Sequence, residues 1–425
     1  MSVKSFQLNS SAQRAGLIVA GLCCLIFLLF AVKWYFGSSI TMRAGYKEVA
    51  EFALNLAPDD PQTHYTLAVF DEKVFSPENL QKSLTEYERA TALSPNDYRV
   101  WFGLGKARER SGDATGAELA LRKSLELAPN YAHVQWTLGN VLLRQGKTSE
   151  AFAELQKAAE GDAKYAAPTV STAGQIFDGD LAQIRQNIGT SSQINFALVT
   201  YLADQKRFDE ALEIWNSLPS EEKKNGFKES GKQFFTQMLT AGKYRNALQI
   251  QNQISDAEGE IPALGKISNS GFEIDVTAIK PGVFEWQIPD GTNPQIGFDN
   301  AQKHGGTRSL VIIFNSLDGK EFRQISQSVA VESNKKYTFE FFYKSALKTS
   351  STLKWEIIDL FDGKLLAATD ALAADSDWTN LQTEFTTPEN TEAVTLRLAR
   401  DSCQSAICPI AGKVWFDDFN LVSRF

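Results

Sequence analysis

The residues of this chain that could carry chemistry are few. Histidine occurs three times, at His64, His133 and His304, far apart in sequence. The commoner multi-histidine zinc sites are therefore excluded, and few groups are left to act as a general base near neutral pH. No G-x-S-x-G, H-E-x-x-H or paired-carboxylate constellation is present, which argues against a hydrolase. Gly146-Lys147-Thr148 imitates the end of a phosphate loop, but Val141 stands where the first glycine belongs. Cys403 and Cys408 are the only cysteine pair outside an apolar N-terminal run, in the spacing C-x4-C. Two cysteines make no four-ligand zinc site, so the expectation is a disulfide worth about 2 kcal/mol in the chain-entropy model. A disulfide places this part of the chain in an oxidising compartment. The alternative is two unpaired thiols.

Length and charge say which elements hold these residues. With 425 residues, one compact core is too small a description. Lys+Arg 43 against Asp+Glu 51 gives a net charge of −8, the wrong sign for a nucleic-acid platform. Ala15–Val32 is uncharged and rich in Leu, Ile, Val and Phe. At about 1.5 Å per residue it spans most of a hydrocarbon layer about 30 Å thick. Lys33 and the Trp34-Tyr35-Phe36 run beyond it suit a snorkelling cation and an interfacial belt. The expectation is a cytoplasmic tail (1–14) and an uncleaved transmembrane anchor (15–36). A cleaved signal peptide is the rival, and it lacks a small-x-small site after the apolar run. Cys23 and Cys24 are read as packing residues of the anchor. Lys4 and Arg14 before the span and Lys33, Arg43 and Lys47 after it balance, so flanking charge does not set orientation.

The next 200 residues repeat. Pro95 and Pro129, Leu104 and Leu138, Gly105 and Gly139, Ala117 and Ala151, and Leu121 and Leu155 all stand 34 residues apart. From Tyr98, the pattern Trp101-x2-Leu104-Gly105, then Ala117-x3-Leu121 and Pro129, resembles the tetratricopeptide repeat family. A preceding unit starts at Pro61 and is 37 residues long, which predicts a loop insertion at Phe75–Leu80. A following unit starts at Ala132, with Gln135 where the family prefers Trp. Weaker units start near Ser192 and Lys228, with a truncated or irregular one before them. Residues 44–57 read as a lone second helix leading in from the membrane. The solenoid is expected over 44–258, and as a repeat protein it implies a protein or peptide partner.

After Asp256 the period changes to two. Tyr337–Tyr343, Leu353–Ile357 and Val394–Leu398 alternate between turn-rich stretches, predicting eight or nine strands of an antiparallel sandwich. Asn269-Ser-Gly-Phe-Glu273, His304-Gly-Gly-Thr-Arg-Ser-Leu310, the Ser328–Tyr343 hairpin, Asp377-Trp378 and Val414-Trp-Phe-Asp-Asp-Phe-Asn-Leu421 occur in order. Over 264–425 they resemble carbohydrate-binding-module-like jelly rolls with the galactose-binding fold. That resemblance implies a structural calcium on Glu273 and Asp418, with carbonyls of the Lys303–Gly306 loop. The fold does not specify a ligand, since it hosts sugar binding, protein binding and structural roles alike. For an envelope polysaccharide, Trp355 and Tyr343, with Arg397 and Gln324, are nominated as the ring and hydrogen-bonding groups. Trp378 and Trp415 are read as core.

The resulting fold class is multidomain: one transmembrane helix, an all-α tetratricopeptide solenoid and an all-β jelly-roll sandwich. It suggests a non-enzymatic adaptor in the bacterial inner membrane, with the bulk of the chain outside the cytoplasm. Exopolysaccharide or O-antigen assembly is the setting the architecture brings to mind. The runner-up is a pure protein–protein scaffold whose jelly roll binds no sugar.

Overall fold

The computed structural model describes residues 11–74, 76–256, 260–276, 281–316, 322–349, 352–401 and 409–424. Fifteen α-helices precede nine strands among them. The chain divides into two compact units, Met1–Tyr201 and Leu202–Phe425.

The first unit opens with α1 (Ser11–Thr41), a helix long and apolar enough to cross a membrane, followed by α2 (Lys47–Leu56). Three helical hairpins come next: α3 (Pro61–Glu72) with α4 (Pro77–Leu93), α5 (Tyr98–Arg110) with α6 (Ala114–Leu127), and α7 (Ala132–Arg144) with α8 (Thr148–Gly161). Asp97 and Asp113 cap α5 and α6, accepting from the backbone N–H groups of Arg99 and Gly116. Within each of the last two hairpins a glycine lets the helices close. A Cβ on Gly105 would meet Leu121 Cγ at 2.7 Å, and one on Gly139 would meet Leu155 Cγ at 2.7 Å. The extra length of the first unit is not a loop insertion. It lengthens α4, which Pro77 starts and Ser76 caps by accepting from Asn79 N–H, because this pair favours helix over loop. The helix α2 is also not alone, since it packs on the end of α1, where Gly37 approaches Ala57.

A second contact repeats with the period. The side-chain N–H groups of His64 Nε2, Trp101 Nε1 and Gln135 Nε2 donate to the carbonyls of Pro58, Pro95 and Pro129, at 2.8, 2.7 and 3.0 Å. Each donor lies six residues after its proline. What the position demands is an N–H donor, which explains why Gln135 substitutes for tryptophan. At His64 the other nitrogen, Nδ1, lies 2.6 Å from a Glu86 carboxylate oxygen. Both ring nitrogens thus face acceptors, the arrangement of an imidazolium. Burial pulls this group down, but the Glu86 hydrogen bond, the Pro58 carbonyl and the Glu86 charge outweigh it, and its pKa rises above 6.5. A raised folded value stabilises the fold fully below pH 6.5, and the contribution is lost as pH rises through the folded value. Thermal unfolding of the first unit should therefore shift down between pH 6 and pH 8. His64→Gln, which keeps the donor and removes the titration, should flatten that slope. An unchanged slope would mean that His64 does not carry it.

The truncated unit expected before Ser192 is a 3-10 turn (Ala163–Tyr165) with the short helices α9 (Ala166–Ile176) and α10 (Leu181–Ile188). Helix α11 (Ser192–Asp204) follows.

In the second unit α12 (Phe208–Ser217), α13 (Ser220–Lys224), α14 (Lys228–Thr240) and α15 (Tyr244–Ile254) surround the buried Trp215, whose Nε1–H donates to Gln253 at 2.6 Å. Nine antiparallel strands follow: β1 (Gln295–Asp299), β2 (Ser309–Ser316), β3 (Ser326–Ala330), β4 (Lys336–Leu347), β5 (Leu353–Asp359), β6 (Leu365–Ala368), β7 (Asp375–Thr386), β8 (Ala393–Arg400) and β9 (Ile410–Arg424). They form a five-stranded sheet, β1-β2-β9-β4-β7, against a four-stranded sheet, β3-β8-β5-β6. The inward residues of both sheets build one core around Trp286, Phe339, Phe341, Trp355, Phe416 and Phe419. Helices and sandwich share a joint. Leu248 of α15 is buried with Phe284 and Ala330, and Arg245 binds the Glu392 carboxylate.

Candidate functional site

On β4 the odd residues Tyr337, Phe339, Phe341 and Tyr343 are buried, and the even residues Glu340, Phe342 and Lys344 face outward. Strand partners share a face. Phe342 pairs with Asn380 on β7, Glu340 with Gln382 on β7 and Asn420 on β9, and Lys344 with Trp415 on β9. The outer face of the five-stranded sheet is therefore lined with amide and charged groups around a central ring. His304, from the loop before β2, stacks on Phe342 with centroids 3.7 Å apart and planes 11° from parallel. Trp378, partly exposed on β7, stands 5.8 Å from His304. Lys344 pairs with Asp377 at 2.8 Å beside it. Trp415 lies on the same face but is nearly covered, its Nε1–H donating to Asp299. That hydrogen bond holds the Asp299 carboxyl below its usual range.

The loop that carries His304 is held by Asp417. This carboxylate is fully buried and accepts from the backbone N–H groups of His304 (2.8 Å), Gly305 (3.0 Å) and Asp418 (2.9 Å). Burial nevertheless pushes its pKa up. A bulge in β9 at Asp418–Phe419, with Asp418 at φ +50°, lets Asp417 and Asp418 both reach the same loop. Asp418 reaches His304 Nδ1 at 2.6 Å, and Glu273 accepts from Thr307 N–H at 2.9 Å. The Thr307 hydroxyl and backbone hold the Glu273 carboxyl below its usual range.

The residues expected to hold calcium, Glu273 and Asp418, thus converge on the Lys303–Gly306 loop. A Cβ on Gly305 or Gly306 would meet the Asp418 and Glu273 carboxylates respectively, and Gly306 has φ +53°, a conformation that favours glycine. Hard oxygen donors of this kind fit calcium. Among the described residues no group of three or more His, Cys, Asp or Glu suited to a metal is found, so backbone carbonyls would have to complete the set.

The four residues expected to touch sugar do not converge. Trp355 is fully buried, with ring centroids of Trp286, Phe339, Phe341, Phe416 and Phe419 all within 6.2 Å. Tyr343 is buried on the same inward face, its hydroxyl accepting from Ala373 N–H. Neither ring is available to a ligand, because strand parity places both in the core. Arg397 lies on the outer face of the four-stranded sheet, where its guanidinium is spent on Glu356 at 2.7 and 2.9 Å. Gln324 is exposed ahead of β3. Trp378, expected in the core, is on the outer face instead. Cys403 and Cys408 lie outside the described residues, while Cys23 and Cys24 are exposed on α1 and unpaired.

The first unit carries a second candidate surface. Rings on successive hairpins form a strip: Tyr98 with Tyr131 (5.2 Å), Phe102 with His133 (4.9 Å) and Trp136 with Tyr165 (5.2 Å). Beside it a cleft of about 370 Å³ is lined by Lys106, Arg110, His133, Trp136, Asn140 and Arg144 among others. Burial, then the charges of Lys106 and Lys164, lower the pKa of His133.

Residues 265–402 match the family model of a carbohydrate binding domain. Residues 78–132 and 105–167 match that of a tetratricopeptide repeat. The chain thus joins a tetratricopeptide solenoid to a carbohydrate-binding-module-like domain. No curated protein matches it. Among solved structures it is similar to MamA, at 15% identity over 40% of this chain and 82% of that one, with a TM-score of 0.28. A CBM4 module is similar at 18% identity over 37% of this chain and 99% of that one, with a TM-score of 0.29. YrrB, described as a TPR protein with an unusual peptide-binding site, is similar at 17% identity over 49% and 92%, with a TM-score of 0.28.

Proposed function

We propose that this protein is a non-enzymatic, membrane-anchored adaptor of the bacterial envelope, whose sandwich binds a polysaccharide and whose solenoid holds a protein. The observation that carries the glycan half is the His304–Phe342–Trp378 cluster on the outer face of the five-stranded sheet. Flat rings match the apolar face of a sugar, and Asn380, Gln382 and Lys344 around them supply amides and charge for hydroxyls. The opposite sheet offers ion pairs and no ring among its outward residues described here.

The helix α1 is the anchor in this reading, placing both units on the same side of the membrane, and the aromatic strip on α5 and α7 is the protein-binding face. Exopolysaccharide or O-antigen assembly is the setting we favour for such a pairing. Glu273 and Asp418 would hold a calcium that stiffens the His304 loop. Calcium at a hundred times its dissociation constant would then add about 2.7 kcal/mol to the sandwich, and Glu273→Gln would remove that gain.

The test is retention of the full chain, in detergent, by a panel of envelope polysaccharides in affinity electrophoresis. Saturable retention by one of them is expected. No retention by any would hand the reading to the protein scaffold.

A further inference from the structure

The uncharged run ends at Val32, yet α1 continues for nine residues, about 14 Å, to Thr41. These last turns are packed rather than free. A Cβ on Gly37 would lie 2.7 Å from Ala57 Cβ and 3.2 Å from the Ala53 carbonyl oxygen. Thr41 Oγ1 lies 2.8 Å from Thr63 Oγ1. The helix α2 therefore runs back along the end of α1, and its C-terminal half comes level with Gly37, one turn beyond Trp34. Ala50 and Ala53 bury its inner face. Val49, Phe52 and Leu56, spaced three and four apart, form a second apolar face, with Val49 37% and Phe52 57% exposed. Glu51 and Asn55 take the polar side, and Glu48 borders the apolar face.

We propose that the Val49–Phe52–Leu56 face is a second membrane contact, seating the first hairpin in the headgroup zone of the bilayer that α1 crosses. The proposal rests on reading α1 as a membrane span. Headgroups add about 5–7 Å to each side of the hydrocarbon layer. Leu56 falls near the depth of Trp34, and Phe52 about one turn above it. Trp34, Tyr35 and Phe36 at the end of the span and Phe52 on α2 are all exposed. Aromatic and aliphatic side chains at this depth are those the interface favours. The contact fixes the tilt of the solenoid relative to the membrane, which a flexible tether would leave free.

The test uses the full chain in phosphatidylethanolamine–phosphatidylglycerol vesicles. A photoreactive p-benzoylphenylalanine replaces Phe52, Glu51 or Trp34 in turn, and lipid adducts are counted by mass spectrometry. Adducts at 34 and at 52, with 52 at least tenfold above 51, are the expected result. Adducts at 34 without any at 52 would overturn the contact while leaving the span intact. Chain-to-chain adducts at 52 would overturn it in favour of a second copy. Lipid adducts at neither 34 nor 52 would refute the span itself.

Discussion

Replacing Trp355 with alanine should cost the sandwich about 3–5 kcal/mol, the range for a large aromatic removed from a filled core. For a unit of this size that corresponds to a fall in melting temperature of roughly 6–20 °C. The side chain is fully buried at the meeting point of both sheets, with five aromatic rings around it. Its Nε1–H has no hydrogen-bond partner among the described residues. An unpaired buried donor is itself unfavourable, so Trp355→Phe gives back part of what it loses in volume and should cost much less than alanine. Near-ultraviolet circular dichroism during thermal unfolding measures both. A loss below about 0.5 kcal/mol for Trp355→Ala would mean that the ring is not core and that its nomination as a sugar platform deserves reopening.

In the solenoid, Leu138→Ala should cost about 2–5 kcal/mol. Leu138 is 1% exposed and packs with Ala117, Leu121, Val134 and Ala151, joining one hairpin to the next. Repeat units do not bury a sufficient core alone, so a hole at a joint weakens both neighbours. The complementary change, Gly139→Ala, overfills the contact with Leu155 and should cost about 1–3 kcal/mol. Urea unfolding of the full chain, followed by far-ultraviolet circular dichroism, reads both. Changes below about 0.5 kcal/mol at both positions would show that the 34-residue register is wrong.

The fold was largely legible because it follows periods. Pro61, Tyr98 and Ala132, expected to start repeat units, are the first residues of α3, α5 and α7. The 34-residue spacing survives because the Gly105–Leu121 and Gly139–Leu155 contacts are the same contact twice. The site was less legible, and parity explains part of that. Leu353, Trp355 and Ile357 alternate with Lys354 and Glu356, so the pattern already puts Trp355 inside. Tyr343 shares the parity of Phe339 and Phe341. The same rule turns Phe342 outward, and the double Phe341-Phe342 was the signal for it. His304 and Trp378 could not be placed this way. His304 sits on a loop positioned by Asp417, more than a hundred residues away, and Trp378 lies at an edge strand beside a bulge. Such positions depend on tertiary contacts that no local period encodes.

The central claim is that sugar meets the outer face of the five-stranded sheet. Its most direct test is affinity electrophoresis of the full chain and three variants in the retaining polysaccharide, with melting temperature as the control. His304→Ala and Trp378→Ala should each weaken retention at least tenfold with little change in melting temperature, while Arg397→Ala, on the opposite face, leaves retention unchanged. Retention lost in Arg397→Ala and kept in both His304→Ala and Trp378→Ala would contradict the account.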